Sequence, residues 1–163
     1  MSQFGDKVLI SRPNKVKVCF QQCMDASGQK QAMNVDMALT TQRDWSGKTT
    51  FQLTVDEMSF LAAFFLQREH ELNFSFHGNN HNKALLVNRK IKNGNEYLFF
   101  GIFEGGETKH YINLTKFEGF RVFQLVMSAL MQHYQMDQST LLTLLKEYYG
   151  KSEKALTQDT AQG

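Results

Sequence analysis

FQLTVDEMSFLAAFF, residues 51–65, and INLTKFEGFRVFQLV, residues 112–126, write one junction twice. Each passes from alternating apolar residues into Leu-Thr, then two residues, then Glu, then an apolar stripe at helical spacing. Thr54 and Thr115 lie 115 − 54 = 61 positions apart, and Glu57 and Glu118 keep that offset (118 − 57 = 61). A threonine followed three residues later by glutamate is the spacing of a capping box. The hydroxyl accepts from a free N–H of the first turn, and the carboxylate reaches back to the cap N–H. Acidic residues there also complement the positive helix end. The repeated junction therefore predicts two equivalent helices, each entered from a strand.

The first helix is expected from Val55 to about Arg68. Met58, Leu61, Ala62 and Phe65 form its stripe, and Phe60 and Phe64 widen it, so this helix packs on more than one side. The second carries Val122, Leu125, Val126, Ala129 and Leu130 towards Tyr134. A short third helix, STLLTLLKEYYG, is expected over 139–149 with Ser139 as cap and Gly150 as stop. The tail KSEKALTQDTAQG (151–163) has little to bury and is expected to be flexible.

Period-two segments precede each helix. KVKVCFQQ, AMNVDMALTTQRD and KTTFQLT lead into the first, and NKALLVNRK, EYLFFGIFE and KHYINLT into the second. DKVLIS and ELNFSF add one strand ahead of each set. SGQ and WSGK separate strands in the first half and NGN and EGGE in the second, with Asn93-Gly94 the strongest hairpin signal. Lys48 and Lys109 also differ by 61, as do Asn34 and Asn95, while Asn14-Lys15 and Asn82-Lys83 differ by 82 − 14 = 68. The expected organisation is α+β: an internally duplicated ββββα-ββββα domain over 1–150, with pseudo-repeats at about 4–70 and 71–135.

The 163 residues suit one ordinary domain. A net charge of +2 permits nucleic-acid binding without demanding it, because a basic groove is a local property. Residues 1–70 hold eight Lys/Arg against seven Asp/Glu, leaving ten against nine, so neither half is a charged tail. Fourteen Phe and five Tyr exceed what a minimal core needs, which implies outward rings. Cys19 and Cys23, on one strand, are too far apart for an easy disulfide and read as free thiols of a reducing compartment. Without a membrane-length apolar run, signal core or Arg/Ser-rich transit character, the chain reads as a soluble cytoplasmic protein.

The offset phases the strands. With Met33, Val35, Met37 and Leu39 inward, Leu98 and Phe100 at the 61 offset are inward too. Tyr97, Phe99 and Phe103 then point out in the second half, as do Asp36, Ala38, Thr40 and Gln42 in the first. Val16, Val18 and Phe20 go in, and Lys15 and Lys17 go out. Lys48 faces out with Lys109 and Tyr111. Unpaired bases stack on flat rings while Lys and Arg track phosphates, so this face suits a single strand. Burial of the same rings against another sheet or subunit is the competing reading. KALLVNRK has two possible phases, with either Leu85 and Val87 or Ala84 and Leu86 inside, and Lys83 and Arg89 join the candidates on that condition. Trp45 either stacks on a base or pins its hairpin.

No phosphate-cradling GxxxxGK[ST], dinucleotide GxGxxG or GxSxG is present. His77 and His81 have no neighbouring Cys or carboxylate in sequence, and no metal or other cofactor is expected. Glu57 and Glu118 are explained by capping. The sequence reads as non-enzymatic.

LTKFEGFRVFQLVMSALMQHY (114–134) and NFSFHGN (73–79), with the order of four strands and a helix written twice, resemble the Whirly single-stranded-DNA-binding proteins and the related mitochondrial RNA-binding proteins of kinetoplastids. A single repeat also looks like the transcriptional coactivator positive cofactor four, which reaches the same arrangement as a homodimer. The resemblance covers Phe4 to Tyr134. It implies two antiparallel four-stranded sheets crossed at a steep angle with the helices between them. It also implies a homo-oligomer that binds single-stranded DNA, or alternatively RNA, with little sequence preference. Replication, recombination, DNA transfer and transcription are the processes it suggests. The Lys-Gly-Lys-Ala-Ala-Leu signature of plant Whirly proteins is replaced here by RPNKVKV, which keeps only Lys15 and Lys17.

Overall fold

The computed structural model describes residues 4–150; the tail expected at 151–163 lies outside the described residues. The elements run β1 (Phe4–Ser11), β2 (Val16–Met24), β3 (Gln31–Leu39), β4 (Thr49–Leu53) and α1 (Val55–Phe65), then β5 (Glu71–His77), β6 (Lys83–Lys92), β7 (Asn95–Glu104), β8 (Glu107–Leu114) and α2 (Lys116–Tyr134), closed by α3 (Gln138–Tyr148). The strands form two four-stranded antiparallel sheets, β1-β2-β3-β4 and β5-β6-β7-β8. The duplicated ββββα architecture expected from the two junctions is the fold observed.

Both capping boxes are closed. Thr54 and Thr115 accept from the Glu57 and Glu118 N–H groups at 3.2 Å, and each carboxylate returns to the threonine N–H. Helix α1 stops at Phe65, three residues before the expected end. Gln67 turns left-handed there (φ 60°), its N–H donates to the Phe64 carbonyl, and the Arg68 N–H donates to that of Ala63. That pattern closes orphan carbonyls as a Schellman motif does, with Gln where Gly is usual. Helix α3 starts earlier than expected because Asp137, rather than Ser139, caps it, accepting from the Thr140 N–H at 2.8 Å. Asn93 and Gly94, both at positive φ (52° and 76°), make the two-residue turn between β6 and β7.

The two halves align differently along the chain than the junctions alone imply. Leu53 pairs with Met33 and Leu114 with Leu98, so β3 and β7 correspond at 98 − 33 = 65 rather than 61. The first half has the longer third connection, residues 40–48, where the second has only Gly105-Gly106. Four residues is an even shift, so the inward phase of Met33, Val35, Met37, Leu98 and Phe100 survives it; all are buried. Leu39 is the exception. Expected inside with Met37, it is 48% exposed, because at the end of β3 it overruns the core. Ala38, expected outside, is buried opposite Lys17, whose ammonium reaches the carbonyls of Gln42 and Asp44 in the 40–48 loop.

One core serves both halves. Phe20 of the first sheet meets Phe100 of the second edge-to-face, with centroids 5.4 Å apart. Helices α1 and α2 pack on each other, and α2 touches both sheets. Phe65 of α1 reaches Phe123 of α2 at 5.7 Å. Thr49 and His110, equivalent positions 61 residues apart, meet at 3.2 Å, which places the pseudo-twofold relation between β4 and β8. Cys19 and Cys23 are free thiols on the outer face of the first sheet. Burial pushes both thiols up from their usual value.

Candidate nucleic-acid interface

The outer face of the second sheet is built by parity. With Leu98, Phe100 and Ile102 turned to the core, β7 presents Tyr97, Phe99 and Phe103 outward, and the neighbouring strand β8 presents Tyr111. Phe99 and Tyr111 stack with centroids 5.7 Å apart and 26° between planes, and the Lys90 ammonium lies 4.2 Å from the Phe99 centroid. Gly101 is the floor beneath these rings. A Cβ there would stand 2.8 Å from Phe99 Cε1 and Cζ and 3.1 Å from Phe103 Cε2. Phe99 therefore folds onto the sheet and is only 7% exposed, whereas Tyr111 is 54% exposed. The outward phase expected for Phe99 holds, but its ring is covered.

Where β8 approaches the ends of β2 and β3, a groove of about 520 Å³ opens between the sheets. Arg12, Lys15, Lys92 and Lys109 supply its charge, and Tyr111, Leu39, Val16 and Ile112 its apolar wall. Among the described residues no carboxylate lines it. The Lys15, Lys92 and Lys109 side chains are exposed, and their ammonium groups have no hydrogen bond or ion pair among the described residues. Arg12 differs, being held by Glu118. Its hydrogen bond to Glu118 raises the guanidinium value and lowers that of the carboxyl, and Arg12 Nη2 also donates to the Asn113 carbonyl at 2.9 Å. Burial, aided by Lys109, holds His110 below the usual histidine value.

Of the residues singled out from sequence, Lys15, Lys109 and Tyr111 meet in this groove, with Phe99 and Phe103 on the adjoining face. Tyr97 is half-buried near the start of β7, opposite Lys90 and close enough to Arg12 to act on its charge. The remaining cations have partners within the fold. Lys17 donates to the Gln42 and Asp44 carbonyls at 3.0 Å and sits 4.6 Å from the Trp45 centroid. Trp45 thus packs on Lys17 at the side of its loop. Lys48 pairs with Asp36 at 3.4 Å.

Lys83 and Arg89 require correction as outward residues. The open phase of β6 resolves with Leu85 and Val87 buried, which turns Lys83 and Arg89 inward. Lys83 Nζ donates across the sheets to the Thr50 carbonyl at 3.0 Å. Arg89 covers the Phe64 ring at 4.1 Å, donates to the Phe64 carbonyl and pairs with Glu96 at 3.2 Å. Burial lowers its guanidinium value.

The same phase brings out Lys90, opposite Tyr97 in register, and Lys92, beside the Asn93-Gly94 turn, neither of which the sequence reading named. Lys92 had a usable signal, since a hairpin with an exposed two-residue turn carries its flanking residues to the surface.

Among the described residues there is no group of three or more His, Cys, Asp or Glu that could hold a metal ion, and no helix is long and apolar enough to cross a membrane. His77 is engaged elsewhere, 2.8 Å from Glu57 and stacked on Phe51 at 4.1 Å.

No family model matches the chain, and no curated protein matches it. Solved structures do. WHY3 from Arabidopsis thaliana superposes with a TM-score of 0.55 at 18% identity, covering 90% of this chain and 97% of its own. WHY1 from Arabidopsis thaliana gives 0.58 at 18%, covering 82% and 93%. The plant transcriptional regulator PBF-2 gives 0.56 at 18%, covering 83% and 86%. Two four-strand-and-helix units around one shared core, matched over most of both chains, give this protein the Whirly fold.

Proposed function

We propose that this protein is a non-enzymatic single-stranded-DNA-binding protein with little sequence dependence in its overall affinity. One observation carries the reading: an open groove, free of carboxylates among the described residues and carrying three ammonium groups without partners there, runs into the exposed Tyr111 ring, itself stacked on Phe99. Ammonium groups without internal partners attract phosphates and release their counterions. Adjacent rings accept bases of any identity, each worth ~1–3 kcal/mol. Duplex DNA offers its bases no such access, because they are stacked inside the helix. The description of PBF-2 as a transcriptional regulator fits the same class of role, with replication, recombination or DNA transfer as sister processes.

Self-association belongs to the same reading. Helix α2 leaves Phe117 (73% exposed) and Phe120 (55%) outside the core on one side of its first turns. Two large rings near the opening of pockets along Lys116–Phe123 suit a contact between copies. Two free thiols suit the reducing cytoplasm.

The test is fluorescence anisotropy with labelled oligo-dT and a matched duplex at low salt. Preferential binding of the single strand, weakening as salt rises, is expected. Equal or weaker binding of the single strand would remove the proposal.

A further inference from the structure

Among the described residues, Asn88 Oδ1 and Asn113 Oδ1 are the buried side-chain oxygens without a hydrogen-bond partner. They are not scattered. Asn88 pairs with Phe99 across β6 and β7, and Phe99 pairs with Asn113 across β7 and β8. The two amides therefore flank Phe99 in a single row across the outer face of the sheet. A buried acceptor left unmade costs free energy, so a flanking pair calls for a partner.

The surroundings define that partner. The Phe99 ring between them rests on a glycine floor, a contact with no side chain of its own to lock it. It also lies between an aromatic neighbour and the Lys90 ammonium. Asn113 lines the basic groove as well, so a strand lying there reaches this row.

We infer that the row Asn88–Phe99–Asn113 is a base-reading site that selects a base bearing an exocyclic amino group. In this site Phe99 stacks on the incoming base, and the amide oxygens on either side accept from its amino group. Cytosine N4 and adenine N6 donate in that way, whereas thymine and uracil present a carbonyl at the corresponding position. Overall binding then remains tolerant of sequence, because phosphate contacts and stacking supply most of it. A modest preference for amino-bearing bases is superimposed at this one position. The inference rests on the single-strand reading above.

The probes are oligodeoxycytidine and oligodeoxyuridine of equal length, whose bases differ at C4, amino against carbonyl, and at N3, acceptor against N–H donor. They are compared at low salt and slightly alkaline pH, where cytosine is neutral. Wild-type protein is expected to bind the cytidine strand about fivefold more tightly. In the Asn88→Ala/Asn113→Ala double variant the ratio of the two affinities is expected to fall to about one. Its unfolding midpoint should not fall, since each change removes an unpartnered oxygen.

Equal affinities in the wild type overturn the inference without touching single-strand binding, and this arm needs no variant. A preference that persists in the double variant overturns the role of the asparagines. Failure of both strands to bind at low salt removes the single-strand reading and the base-reading site with it.

Discussion

Arg12, at the end of β1, closes on Glu118, the residue that also completes the capping box of α2. Arg12 Nη1 lies 2.8 Å from Glu118 Oε2. The first strand of one half is thereby fastened to the helix of the other. His77, at the end of β5, stands in the equivalent place and reaches Glu57 of α1 at 2.8 Å. The repeated glutamates thus do two things each: they start a helix and receive the opposite half. Half-buried charge-assisted bonds of this kind contribute about 1–2 kcal/mol after allowance for solvent screening.

The Arg12–Glu118 contact makes stability depend on acid. Glu118 has a folded value below its unfolded one, chiefly through the hydrogen bond from Arg12. Its contribution is accordingly full above the unfolded value and is lost as pH falls through the folded value. Urea unfolding of wild type and Glu118→Gln should show the variant less stable by about 1–2 kcal/mol near neutral pH. The difference should shrink in the acid range. A gap of constant size across pH would contradict the contact's ionic character.

Gly101 keeps the aromatic face flat. Gly101→Ala places a methyl 2.8 Å from Phe99, too close for the ring to stay. Displacing it should cost up to about 2 kcal/mol in unfolding free energy. The same change should alter single-strand affinity, because Phe99 no longer rests where a base stacks on it. A variant matching wild type in both respects would show that the ring is not seated on this floor.

The lysines separate into two groups with different signatures. Lys92→Ala and Lys109→Ala should each lower the slope of log affinity against log salt by about one and leave stability unchanged. Lys83→Ala should do the opposite, since Lys83 Nζ bonds the Thr50 carbonyl between the sheets. Its unfolding midpoint should drop with the salt slope intact. Salt titration by anisotropy and thermal unfolding read the two effects independently.

Much of this was legible in the chain. The Thr54–Glu57 and Thr115–Glu118 spacings locate two helices because a capping box is a local interaction, written in four consecutive residues. The Asn93-Gly94 turn is legible for the same reason. Strand parity gave the outward phase of Tyr97, Phe99 and Tyr111, since an even shift between halves leaves it unchanged. The uses of Lys17, Lys48, Lys83 and Arg89 were not legible. Each depends on a carbonyl or carboxylate that tertiary packing brings within reach, and KALLVNRK fits either phase until the core selects Leu85 and Val87. Lys92 and Asn88 were hidden by the same ambiguity. The covering of Phe99 depends on Gly101 two residues away, a relation visible only once the ring is placed.

Photocrosslinking of a bromodeoxyuridine-substituted single strand, followed by peptide mapping, would locate the bases on the protein surface. Adducts are expected on Tyr111 and Phe99, beside the groove formed with Lys15, Lys92 and Lys109. Adducts confined to the exposed Phe117 and Phe120 of α2, or to the outer face of the first sheet around Cys19, would contradict that placement.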